Sequence, residues 1–296
     1  MRIPALPSLV AVLVLSFSVA ACGGDSSTVG GQSSAGAEAA PAPGDEKAEL
    51  EHIHGLGVDP GSDSLYVATH YGLFESPKGQ VKLQRVGESR QDVMGFSVVG
   101  PGRFIGSGHP DPSQELPPNL GLIASSDAGK SFENVSLLGE ADFHVLRAAG
   151  RQVYGFDGAS GKLMVSTDGG RKWTARTPPA GVFDLAISPD DPQRIVASTE
   201  KGLFGSTNAG AGWRPLASDK AGLLAWTVPD NLVLIDGTGQ VAKSGDGGQN
   251  FTAVGGIPGP PSAFVNDGED LYAALGDGQI VQSIDAGGTW AVRATP

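Results

Sequence analysis

With a single cysteine, Cys22, in 296 residues, no disulfide can form within the chain, so the folded part must stand on its core alone. Charge is scarce at 18% of residues and unbalanced, 20 Lys and Arg against 32 Asp and Glu, giving a formal net charge of −12. That sign repels a phosphate backbone, and no basic stripe with interleaved aromatics offsets it, which excludes nucleic acid as a partner. No Gly-rich phosphate loop and no G-x-S-x-G elbow is present, so neither phosphoryl transfer nor serine-hydrolase chemistry has support. The apolar stretch from Leu9 to Ala20 is too short for a stable membrane span.

Glycine and proline, in contrast, are plentiful, at 45 and 21 residues. Together with short runs of β-branched and small residues they predict many strands joined by many tight turns. The N-terminus reads as an export signal: a basic start, the apolar stretch, then Val19-Ala20-Ala21 before Cys22. This arrangement resembles the bacterial lipobox, which implies a signal peptide over residues 1–21, cleavage after Ala21 and lipidation of Cys22. Residues 22–48 are rich in Gly, Ser, Ala and Pro and nearly devoid of large apolar side chains, the composition of a disordered tether. The expected location is the extracytoplasmic side of the cell membrane, held there through Cys22, with a monomeric domain over residues 49–296.

Within that domain one pattern recurs five times, at Ser125-Ser-Asp127-Ala-Gly129, Ser166-Thr-Asp168-Gly-Gly170, Ser206-Thr-Asn208-Ala-Gly210, Ser244-Gly-Asp246-Gly-Gly248 and Ser283-Ile-Asp285-Ala-Gly287. Each copy is followed three residues later by Phe or Trp, and the starts lie 41, 40, 38 and 39 residues apart. That period is the size of a four-stranded propeller blade. In each copy the Asp or Asn oxygen can accept backbone N–H groups while Gly takes a backbone angle other residues resist, so the segment locks its own turn. The motif resembles the Asp-box (BNR) repeat of sialidases, sortilin-type receptors and assembly-factor propellers of photosynthetic membranes. The resemblance implies a structural role for Asp127, Asp168, Asn208, Asp246 and Asp285. A degenerate copy at Ser76-Pro-Lys-Gly79 brings the expectation to a six-bladed β-propeller. The blades fall roughly at 49–88, 89–138, 139–178, 179–218, 219–256 and 257–296.

If the repeated turns join strands C and D, the opposite end of the channel gathers the starts of strand A and the B–C loops. All five histidines then belong to that end of blades 1 to 3: His52 and His54 where strand A of blade 1 begins, His70 in its B–C loop, His109 in the B–C loop of blade 2, and His144 in strand A of blade 3. Asp92 and Met94 begin strand A of blade 2, and Asp142 precedes His144 by two, so an extended strand puts that pair on one side. The spacing from Ser76 to Ser125 is 49, and the excess forms an insertion at His109–Asn119 beside the histidines. Imidazoles with carboxylates and a thioether suit copper or zinc, with His52, His54, His144 and Met94 as candidate donors. His54, His70, His109, His144 and Trp226, the one Trp outside a repeated turn, are candidate contacts for a small ligand, a glycan or a protein.

The segments His52–Pro60, Leu65–Phe74, Gly108–Pro112 and Ala141–His144 further resemble exported bacterial propellers labelled exo-sialidase-like or glycosyl hydrolase. That resemblance implies carbohydrate cleavage. A true sialidase, however, clamps its substrate carboxylate with three arginines from separate blades, and the strand-A regions here offer Arg147, with Arg90 just outside. A simpler glycosidase needs two carboxylates about 5–10 Å apart, for which Asp92 and Asp142 are the candidates, with Asp184 and Glu115 nearby in the chain. The main expectation is an anchored propeller that binds a ligand or partner at the mouth of blades 1 to 3. A glycosidase at the same mouth and an extracytoplasmic scaffold are the alternatives.

Overall fold

The computed structural model describes residues 49, 50 and 52–296. The expected signal, Cys22 and nearly all of the tether lie outside the described residues. Among the described residues no helix is long and apolar enough to cross a membrane.

The strands form six four-stranded antiparallel sheets. Blade 1 contains β1 (Ile53–Val58), β2 (Leu65–Thr69), β3 (Gly72–Ser76) and β4 (Gln84–Arg85), and blade 2 contains β5 (Asp92–Gly100), β6 (Arg103–His109), β7 (Leu122–Ser125) and β8 (Glu133–Ser136). Blade 3 follows with β9 (Phe143–Ala149), β10 (Gln152–Asp157), β11 (Lys162–Ser166) and β12 (Thr174–Arg176), and blade 4 with β13 (Val182–Ile187), β14 (Ile195–Thr199), β15 (Gly202–Ser206) and β16 (Arg214–Pro215). Blade 5 holds β17 (Leu223–Val228), β18 (Asn231–Ile235), β19 (Gln240–Ser244) and β20 (Thr252–Gly256), and blade 6 holds β21 (Pro261–Asp267), β22 (Asp270–Leu275), β23 (Ile280–Ser283) and β24 (Ala291–Ala294). The first strands of the blades touch in the cyclic order β1, β5, β9, β13, β17, β21 and back to β1, so the fold is a closed six-bladed β-propeller.

The core is divided among the seams. Six apolar clusters each draw on two adjacent blades, such as Tyr66, Leu73, Phe96 and Phe104 between blades 1 and 2. Strands buried on both faces need apolar side chains at successive positions, which is why Leu65–Ala68 and Leu232–Ile235 are continuous apolar runs.

The five repeated turns join the third and fourth strands, and each also serves a seam. In blade 3 the Ser166 hydroxyl donates to Asp168 Oδ1 at 2.9 Å and accepts the Gly170 N–H at 2.9 Å. Asp168 Oδ1 also accepts the N–H groups of Arg171 and Lys172. The aromatic side chain that follows enters the seam with the preceding blade: Trp173 packs beside Leu122 and Phe143, and Trp213 beside Leu163. Gly170 has φ +86°, and a Cβ there would sit 2.0 Å from Leu122 Cδ2, so glycine serves both the turn and the blade contact.

The seam between blades 6 and 1 lacks such a turn. There the chain end replaces it: Thr295 bridges Lys82 in parallel, donating to the Val81 carbonyl at 2.7 Å and accepting the Leu83 N–H at 3.1 Å. Arg293 reaches the degenerate turn and donates to Ser76 Oγ and to the Gln80 carbonyl, each at 2.9 Å. Leu50 fills the apolar part of the seam, and the buried Glu49 carboxylate meets Arg85 and Arg90 at 2.5 and 2.6 Å. Among the described residues each blade is therefore drawn from one continuous stretch of chain, with no strand shared across the closure.

Candidate functional site

The inner strands carry a repeated irregularity at the end of the channel away from the repeated turns. The pairing register slips between Ile53 and Gly55, between Val93 and Gly95, opposite Phe156 and Asp157, between Val182 and Asp184, and between Pro261 and Ala263. The extra residues are His54, Met94, His144, Phe183 and Ser262. A β-bulge leaves one residue unpaired and re-aims its side chain. All five line a cavity of about 210 Å³ in the channel mouth.

Two further positions recur around the rim. Two residues before the bulge stand His52, Asp92 and Asp142 in blades 1 to 3. The residue facing it from the end of the second strand is His70, His109 or Gly158 in the same blades. Equivalence rests on backbone pairing: the His70 N–H donates to the His52 carbonyl, Gly158 to Asp142, and His109 pairs with Asp92. Every histidine and both carboxylates thus occupy three equivalent positions of three consecutive blades. In blade 4 the same positions hold Gly181, Phe183 and Glu200, and Phe183 is an exposed apolar side chain. The mouth is imidazole and carboxylate on one side and more apolar on the other.

Inside the polar half, His54, His70 and Asp92 each present a ligand-type atom, and these atoms lie within 4.8 Å of one another. His70 Nδ1 is 3.0 Å and His54 Nε2 is 3.7 Å from the Asp92 carboxylate oxygens. The imidazole rings of His54 and His70 stand 6.0 Å apart at 61°. Although the 3.0 Å approach is within ion-pair range, it is not aligned as a hydrogen bond: His54 Nε2 and both Asp92 oxygens are buried without a hydrogen-bond partner. Burial, with His70 the next contributor, pulls the His54 imidazole down to about 4, so it is neutral near pH 7. Burial pushes Asp92 above the usual carboxylate range, against the opposing pull of His70 and His109.

Next to this group, His144 Nε2 and Asp142 Oδ2 form a hydrogen bond of 2.8 Å. That bond raises His144 and lowers Asp142 relative to their ordinary values. Expected in the B–C loop, His109 instead ends β6, and its Nδ1 donates to the Pro118 carbonyl at 2.8 Å, fastening the base of the insertion. The start of the insertion is further fixed through Asp111, whose carboxylate accepts the Arg90 N–H at 2.7 Å. Arg90 and Arg147 are both engaged, Arg90 with Glu49 and Arg147 with Asp184 at 2.6 Å. The Arg147–Asp184 pair lies at the waist of the channel, where Leu56, Phe96 and Phe264 also face both ends. Asp184 is fully engaged there, accepting the N–H groups of Leu185 and Leu224, and Glu115 is exposed on the insertion.

Not all expected contacts converge. Of the four expected metal donors, His54 joins the close group, His144 is bonded to Asp142, Met94 lines the cavity and His52 is exposed with its ring 6.2 Å from that of His70. His70 and Asp92 complete the group instead. Trp226 is at the other end of the channel, bordering a cavity of about 630 Å³. It is buried in the seam between blades 4 and 5 under the Arg194 guanidinium, 4.9 Å from its ring, so it does not meet the histidines.

No family profile and no characterised protein sequence matches the chain. Solved structures do resemble it in fold. A gluconolactonase from Xanthomonas campestris superposes with a TM-score of 0.60 at 15% identity, covering 76% of this chain and 84% of that one. An ancestral GH74 enzyme matches with a TM-score of 0.53 at 16% identity over 79% of this chain, which spans only 35% of that enzyme. YCF48 from Cyanidioschyzon merolae gives 0.51 at 14% identity, with 81% and 84% coverage.

Proposed function

We propose that the chain is a lipid-anchored extracytoplasmic binding protein that takes a small polar ligand at the mouth of blades 1 to 3. The observation that carries this reading is the confinement of all five histidines, Asp92 and Asp142 to three equivalent positions of three consecutive blades. Chance scatter over a six-fold frame would spread them. Side chains raised on bulges of a rigid sheet are held in place without ordering a loop, which limits the entropy lost on binding. The Asp-box turns and the lipobox resemblance support an exported propeller held through Cys22. The test is an imidazole NMR titration of the full chain in detergent with xyloglucan oligosaccharides, gluconate and short carboxylates. Shifts at His54 and His144 that vanish in His144→Ala support the reading. Shifts confined to the Trp226 indole would move the site to the opposite mouth and overturn it.

A glycosidase is the second reading, favoured by one observation: the acidities of Asp92 and Asp142 are driven apart, the first up by burial and the second down by the His144 bond. Two carboxylates so separated can serve as acid and base. The GH74 enzyme among the fold neighbours is consistent with it. The reading requires that Asp92→Asn and Asp142→Asn each abolish release of reducing sugar from xyloglucan while leaving the fold intact. Absence of such release in the unaltered chain disposes of it.

A further inference from the structure

The geometry points to a transition-metal centre built by His54, His70 and Asp92, taking one copper(II) or zinc(II) ion per chain with a coordination position open to the channel mouth. This rests on the binding reading above and adds a resident ion to the polar half of the mouth, distinct from the small polar ligand taken beside it.

The spacing of the donors fits an ion. Bonds of about 2.1 Å to nitrogen and oxygen in a tetrahedron set ligand atoms roughly 3.4 Å apart. The carboxylate-to-imidazole distances, 3.0 Å from Oδ2 to His70 and 3.7 Å from Oδ1 to His54, lie on either side of that value, and one donor atom from each residue falls within 4.8 Å of the others.

Hydrogen bonding gives a second, independent reason. Asp92 is 6% exposed, neither oxygen has a hydrogen-bond partner, and the buried His54 Nε2 has none either. A buried carboxylate without partners costs several kcal/mol in principle. His70 Nδ1 stands 3.0 Å from Asp92 Oδ2 without an aligned hydrogen bond, and His54 Nε2 at 3.7 Å is beyond hydrogen-bond reach, which leaves both carboxylate oxygens and His54 Nε2 unsatisfied around one point between the three side chains. A cation at that point satisfies all three groups at once.

The donor types narrow the choice. Two imidazoles and one carboxylate suit copper(II) or zinc(II) better than calcium, which takes six to eight oxygens. Three protein donors also leave the shell unfilled, the pattern of sites that keep a position for water or a ligand. Of the three donors, His54 also lines the cavity bordered by Met94 and His144. Chain topology explains why alternation along a strand does not reveal the group: His54 stands on a bulge of β1, His70 on the turn after β2 and Asp92 at the start of β5 in the next blade.

The experiment uses the full chain in detergent, purified by anion exchange without a metal-affinity tag, stripped with a chelator, then given copper(II) or zinc(II) and gel-filtered. The expected result is one ion per chain by mass spectrometry, with a copper EPR spectrum split by two imidazole nitrogens. His54→Ala and His70→Ala should weaken binding on the order of 100-fold or more. His144→Ala should retain the ion, and near-ultraviolet circular dichroism of the tryptophans reports whether each variant is folded. An ion retained equally by folded His54→Ala and His70→Ala protein, or none retained by the unaltered chain, overturns the proposal. If no ion binds while the oligosaccharide or carboxylate titration still shifts His54 and His144, the metal centre fails and the binding reading stands.

Discussion

Arg293, on the last strand, donates to the hydroxyl of Ser76 at 2.9 Å across a sequence separation of 217 residues, joining the last blade to the first. Its second bond, to the Gln80 carbonyl, holds the degenerate turn that has no Asp of its own. Arg293→Ala removes these and a third, from Nη2 to the Ser76 carbonyl at 3.2 Å, and a cost of about 1–2 kcal/mol follows for charge-assisted bonds that are partly exposed. Thermal unfolding followed by circular dichroism should show a Tm lower by roughly 3–6 °C. Arg293→Lys should recover only part, since one ammonium nitrogen cannot take the places of Nη1 and Nη2, which bond the Ser76 hydroxyl and the Ser76 carbonyl separately.

Two glycine substitutions separate turn strain from blade packing. Gly161 has φ +66° with open space around its Cβ position, whereas Gly170 has φ +86° and a Cβ there would collide with Leu122 of the neighbouring blade. Gly161→Ala should cost about 1 kcal/mol and Gly170→Ala roughly 2–4 kcal/mol. Equal costs in denaturant titration would show that the turn does not hold the seam. Ala286, at φ +58°, is strained in the opposite sense, and Ala286→Gly should gain about 0.5 kcal/mol.

At the waist, Arg147 neutralises the buried Asp184. Arg147→Met leaves that carboxylate without its cation, and a loss of roughly 3 kcal/mol at neutral pH is expected. Because burial pushes Asp184 upward even in the pair, protonation relieves the orphaned group, so the loss should shrink as pH falls. The Arg147→Met, Asp184→Asn double variant should unfold closer to the unaltered chain than the single variant does, and a double variant no better than the single one refutes the coupling.

His54 and His144 should give opposite signatures in acid. His54 is held near 4 against an ordinary 6.5, so between those values the unfolded chain takes a proton that the folded chain refuses, and stability falls as pH drops through that window. His144 is raised by Asp142, so its contribution is fully present below pH 6.5 and is lost as pH rises through its folded value. Asp142 is lowered, and its share is present above 3.8 and lost as pH falls through its folded value. An imidazole NMR titration of the metal-free protein reads these directly: His144 should titrate above 6.5 and His54 near 4. Coincident midpoints contradict the arrangement.

The blades were legible in the sequence because each repeated turn prints its own chemistry, a serine, an acid or amide, and a glycine at fixed steps, once in each of five of the six sheets. Six strand-A segments and the positions of the turns follow from that spacing. Alternation also matched Asp142 with His144, which do bond. What it does not reveal is contact across a seam. His54 meets Asp92 because β1 and β5 pack side by side and because a bulge re-aims His54, and neither packing nor bulge has a period to read. The same reasoning separates Trp226 from the histidines: it stands at the far end of an inner strand, so it reaches the opposite mouth. Ring closure was illegible for a related reason, since the blade 6 to blade 1 seam replaces the repeated turn with Glu49, Leu50, Arg293 and Thr295, none of which follows the motif.

The bulges have one further consequence. Their side chains sit on the inner strands but stand outside the six apolar seams, so replacing one alters the mouth without emptying a core. Met94, Phe183 and Ser262 already show three unrelated side chains at one repeated place, beside the imidazoles of His54 and His144. Such a frame lets selection rewrite chemistry one socket at a time, at little thermodynamic risk, while the ring that carries the sockets keeps its shape.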